Sequence, residues 1–179
     1  MIAVAVLGAG IAGCGGGGRK RVVPTECLAF QGHSAPAAST VVARQGSGSL
    51  CESVQVELVL TDVADVQTVD FTVDYDFDVA RYEGLSIAGS VLTSGGATVN
   101  VLENESPGKV SIDLTRFGTG VDFNGSGSVV RLIFSPVSGA APATSTMSFA
   151  SPQIFGSETP PQEKPGIQWF GGELQLTVN

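Results

Sequence analysis

The sequence predicts an all-β domain: an antiparallel jelly-roll β-sandwich of about nine strands. Three observations carry that reading. In residues 69–76, Val69, Phe71, Val73 and Tyr75 alternate with Asp70, Thr72, Asp74 and Asp76, and a period of two is that of a strand with one buried and one wet face. Similar segments recur at a spacing of about 8–12 residues, divided by Gly, Pro, Asn and Ser. No stretch shows the periodicity of a convincing amphipathic helix. The carboxylates at 70, 74 and 76 also fix which way their strand faces, because turning them inward would cost several kcal/mol each.

Taken in order, residues 39–43 form the first strand and 44–50 a Gly/Ser loop. Val54, Val56, Leu58 and Leu60 alternate with Gln55 and Glu57, and residues 62–65 separate that strand from the one at 69–76. Residues 79–84 read as a loop or short helical turn, 97–102 as a strand of Val and Thr character, and 103–108, with Asn, Pro and Gly, as a turn. Val110, Ile112 and Leu114 then alternate with Ser111, Asp113 and Thr115. Residues 127–134 follow, with Val130, Leu132 and Phe134 on one face. Residues 147–155 hold one or two short strands broken by Pro152, 157–166 is a Pro-rich loop, and 167–170 and 174–178 close the chain.

Composition narrows the function. The hydrophobic content of 42% against 15% charged residues fits a sandwich with Ser, Thr and Gly on its surface and excludes an acid-rich disordered chain. The net charge of −8 and the lack of any basic stripe exclude a nucleic-acid binder. With a single histidine, His33, in an expected loop, neither a Ser-His-Asp set nor a zinc site with two cysteines is credible. The chain is therefore expected to be non-catalytic, with no cofactor and no metal. Asp74, Asp76 and Asp78 have oxygens suited to Ca²⁺, but solvated surface acids are the favoured reading of them.

The N-terminus is a separate object. Residues 1–13 are apolar and small, too short to span a bilayer and the right size for the apolar part of a secretory signal. The run ends in Ile11-Ala12-Gly13-Cys14, which resembles the bacterial lipobox. That resemblance implies cleavage before Cys14, lipidation of its sulfur, and stable anchoring by several acyl chains; no Lys or Arg precedes the apolar run, and an ordinary signal with a free Cys14 is the alternative. The expected organisation is a signal peptide at 1–13, a lipid anchor with a Gly-rich tether at 14–24, and one domain at 25–179, at the bacterial cell envelope and exposed to periplasm or exterior. In that oxidising setting Cys27 and Cys51 are expected to bond, closing a loop of about 24 residues worth about 3 kcal/mol, with two buried free thiols as the alternative.

Several motifs, in order, resemble those of cohesin domains, over nearly the whole chain from about residue 39 to 178. Residues 54–60 followed by Asp62-Val63 resemble the family's second strand. VDFTVDYD at 69–76 resembles its third, with Phe77 where a Pro is usual. GKVSI at 108–112, GSGSVVRLIF at 125–134 and QWFGGELQLTV at 168–178 resemble three later strands. Cohesins are nine-stranded jelly rolls that bind dockerins in cellulosomes and other cell-surface assemblies, through an outer face that includes the third strand. The resemblance implies a dockerin-like protein partner held by Thr68, Asp70 and Thr72. Asp70 matches the family's Asp, whereas Thr68 stands where an Asn is usual and keeps one hydroxyl in place of an amide. The alternatives are an envelope scaffold without a dockerin, or a polysaccharide-binding module, since cohesins resemble some carbohydrate-binding modules. One Trp and two Tyr are few for a flat sugar platform, and Trp169 and Phe170, as strand neighbours, face opposite ways.

Overall fold

The computed structural model describes residues 26–36, 38–118 and 122–178. Residues 1–25, with Cys14 and the whole of the expected tether, lie outside them. Among the described residues there are eleven strands: β1 (Glu26–Gly32), β2 (Thr40–Gln45), β3 (Val54–Val66), β4 (Thr68–Asp74), β5 (Ala80–Ser86), β6 (Thr98–Ser106), β7 (Lys109–Phe117), β8 (Phe123–Pro136), β9 (Ala143–Phe155), β10 (Gln168–Phe170) and β11 (Gly172–Val178). They form a six-stranded sheet, β1-β11-β9-β4-β7-β6, packed on a five-stranded one, β10-β2-β3-β8-β5. Neighbours are antiparallel except β10, which runs parallel to β2. The expected all-β sandwich is therefore present.

Alternation decides the packing. Val69, Phe71, Val73 and Tyr75 are buried on the inner side of β4 and its extension, while Asp70, Thr72 and Asp74 are half-buried on the outer side. Phe71 packs against Phe149 and Trp169, and Tyr75 and Tyr82 both meet Phe134 edge-on, so two aromatic groups fill the core between the sheets.

Five elements differ from expectation. Residues 103–106, expected in a turn, are the end of β6, and only 107–108 turn. Residues 79–84 are no loop or helical turn: β5 runs through them. Its alternation is obscured by a register shift between Tyr82 and Gly84, where φ of +128° suits glycine. Residues 62–65 do not end a strand. β3 continues through two bulges, with Asp62 and Asp65 at φ of 51° and 54°, and their N–H groups donate to Ser126 Oγ and Asn124 Oδ1 of β8. β9 is one strand, and Pro152 falls in its bulge, where the ladder needs no N–H. Finally, the lead-in around Cys27 is itself a strand, β1.

Cys27 and Cys51 are bonded, with Cα atoms 4.2 Å apart. The bond ties an edge strand of the six-stranded sheet to the turn that opens β3, the middle strand of the other sheet. At the far end of β3, Asp65 accepts hydrogen bonds from the N–H and hydroxyl of Ser157 and from Lys164, which also pairs with Glu158 at 2.9 Å. These bonds hold the Asp65 carboxyl down at about 2, the Lys164 ammonium contributing most, and fasten the Pro-rich loop to the bulged strand.

Candidate functional site

The outer face of β9-β4-β7-β6 collects the predicted binding residues. Thr68, Asp70 and Thr72 of β4 share parity and all point outward, half-buried. Register sets their neighbours. Thr68 lies beside Thr115 and Phe155, Asp70 beside Asp113 and Gln153, and Thr72 beside Ser111 and Ala150. On β6, Asn100, Leu102 and Asn104 extend these three rows past Thr115, Asp113 and Ser111. One row therefore reads Gln153, Asp70, Asp113, Leu102 across four strands. Leu102 is 61% exposed, and Phe117, further along the same side of β7, is 52% exposed.

The hydrogen bonds on this face have a definite direction. Thr115 Oγ1 is 2.8 Å from Asp113 Oδ1 and 3.1 Å from Thr68 Oγ1. An ionised carboxylate only accepts, so Thr115 spends its one proton on Asp113, and Thr68 must donate to Thr115. The Thr68 hydroxyl therefore has no proton left for a ligand and offers lone pairs alone. Thr72 and Ser111 bond each other at 2.9 Å. Gln153 turns an N–H toward Glu163 at 3.4 Å.

Asp70 and Asp113 face each other directly. Burial, and then the Asp113 charge, push the Asp70 carboxyl above its usual range. Among the described residues neither carboxylate has an ion pair: Lys109 pairs with Asp74 at 3.0 Å, and Arg116 is buried under the sheet, where it donates to the carbonyls of Leu92 and Ser94 at 3.0 Å. A shallow depression of about 170 Å³ lies here, lined by Asp70, Leu102, Glu103, Asn104, Ser111 and Asp113 among others.

Asp113 and Leu102 are parts of this face that the sequence alone did not single out. The alternation of Val110, Ile112 and Leu114 does place Asp113 outward, but nothing in it says that β7 lies beside β4. The other acids play smaller parts. Asp76 Oδ1 accepts from the Asp78 N–H at 2.8 Å in a local turn. Among the described residues no group of three or more His, Cys, Asp or Glu is arranged to hold a metal ion. Trp169 packs edge-on against Phe149 in the partly buried layer over the core.

No family model matches the sequence, and no curated protein matches it. Solved structures do. The sixth cohesin of scaffoldin B from Acetivibrio cellulolyticus, solved in complex with a mutant Cel5 dockerin, is similar with a TM-score of 0.56 and 23% identity, over 80% of this chain and 96% of that one. The seventh ScaB type I cohesin of Pseudobacteroides cellulosolvens gives a TM-score of 0.59 at 16% identity, over 75% and 88%. A non-cellulosomal cohesin from the archaeon Archaeoglobus fulgidus gives 0.52 at 12% identity, over 82% and 88%. The fold of this chain is that of the cohesin jelly-roll β-sandwich.

Proposed function

We propose that the chain is a non-catalytic, cohesin-like module that binds a dockerin-like protein partner on the outer face of β9-β4-β7-β6, and that Cys14 lipidation holds it at the cell envelope. The observation that carries the binding reading is the face itself: a four-strand polar grid with two unneutralised carboxylates and an exposed leucine, on the strand where the resemblance places dockerin contacts. Similar structures described as complexes with dockerins add support. A polysaccharide platform is less favoured, because Trp169 spends its ring on packing against Phe71 and Phe149 in the partly buried layer over the core.

Asp70→Ala tests the face. A partner donor left unpaired should cost about 1–3 kcal/mol of binding, while the melting temperature stays within the shift of a surface change, about 0.5 kcal/mol. Equal capture of the cognate partner by wild type and variant would remove this face from consideration. The anchor is tested separately: Cys14→Ser should move the protein from the membrane fraction to the soluble one in its bacterial host.

A further inference from the structure

We infer that the partner presents a lysine or arginine to the Asp70–Asp113 pair, and that Asp113 sets this preference. The inference rests on the reading of this face as a protein-binding surface and names the chemistry of what binds there.

The first support is the donor and acceptor inventory. Thr68 has given its proton to Thr115, and Thr115 has given its own to Asp113. Asp70 and Asp113 are carboxylates. The centre of the face therefore offers acceptors, and a complementary surface must supply the donors. The second is charge. Asp70 and Asp113 are opposite each other in register, and Lys109 is committed to Asp74. Like charges placed opposite one another on a sheet weaken it, so the pair does nothing for folding. A cation between the two carboxylates relieves that repulsion and gains a charge-assisted bond to each, which a neutral donor cannot do. The third is shape. Leu102 stands next to Asp113 in the same row, with most of its side chain open to solvent. The methylene stem of a lysine or arginine lies well along such an apolar wall while its charged end reaches the acids.

The test uses the full chain as bait for a phage-displayed library of dockerin-type modules, randomised at the surface positions of their contacting helices. Selection on wild type should enrich Lys and Arg. The selected modules should bind Asp113→Asn and Asp70→Asn about tenfold more weakly, as expected for one lost charge-assisted contact, and should weaken with salt. Asp113→Asn keeps an acceptor for Thr115, and thermal melts verify that each variant is folded. Selection on Asp113→Lys should enrich Asp and Glu in place of Lys and Arg. Modules that lose affinity for Asp70→Ala but carry no basic residue, or bind Asp113→Asn undiminished, would overturn the inference and leave the protein-binding reading standing. A selection in which no module responds to Asp70→Ala would overturn both.

Discussion

The two outer faces of the sandwich treat a half-buried carboxylate in opposite ways. On the five-stranded sheet Glu57 sits in a row between Arg44 and Arg131, with nitrogens at 3.0 and 3.5 Å. Burial pushes its pKa up, but hydrogen bonds from Ser128 and Arg44 and the charges of both arginines outweigh it, and the net shift is downward. On the six-stranded sheet Asp70 holds the equivalent place in a row between Gln153 and Asp113, and its pKa moves upward. The first face has completed its polar chemistry within the chain. The second leaves it open to a partner, and that difference, more than exposure, separates a binding surface from a merely solvated one.

The contrast depends first on the register that keeps the two sides of each sheet apart. Val73→Asp would place a charge in the core, since Val73 is fully buried. It should remove at least about 3 kcal/mol, and loss of the cooperative thermal transition is the measurement; a folded variant with a near-native melting temperature would mean the strand can slip. The contrast depends next on the two sheets being held together. Reducing Cys27–Cys51 should cost about 3 kcal/mol and several degrees of melting temperature. Alkylation of the oxidised protein under denaturing conditions should find neither thiol free.

The smallest effects sharpen the comparison most. Glu57 has a folded pKa below its ordinary 4.5, so the unfolded chain binds the proton more tightly. Its contribution is full above 4.5 and is lost as pH falls through the folded value. Asp70 has a folded pKa above 3.8, so its ionised form costs stability above the folded value, and the cost disappears as pH falls toward 3.8. Glu57→Gln should therefore lower the melting temperature at pH 7, and Asp70→Asn should raise it, each by no more than about 1 kcal/mol. Both differences should shrink in acid. Shifts of the same sign would break the distinction between the faces.

How far these features were legible in the sequence follows from their physics. Strand β4 was legible because strict alternation and the outward acids Asp70 and Asp74 leave its orientation no choice. The outward placement of Thr68, Asp70 and Thr72 came from the same parity. β5, the end of β3 and the middle of β9 were hidden because each carries a bulge, and a bulge breaks the period that a reader follows. The Asp70–Asp113 pair was hidden for another reason: parity gives a side chain's face, while its cross-strand neighbour depends on which strands pair. The spent proton of Thr68 lies a step further away, since it follows from a chain of three hydrogen-bonding groups on two strands.

The disulfide also has a mechanical meaning. Glu26 pairs with Val178, and the ladder of β1 on β11 runs from there to Gly32 and Gly172. Tension entering at Glu26 and directed away from the ladder would peel an edge strand from its end, breaking its bonds one after another. The Cys27–Cys51 bond interrupts that path at its second residue. Force passes across it to the turn before β3 and is taken up by the central strand of the opposite sheet, whose bonds to β2 and β8 lie on both sides. In the oxidised molecule the edge strand is a passenger under load, and the sandwich is pulled from its middle.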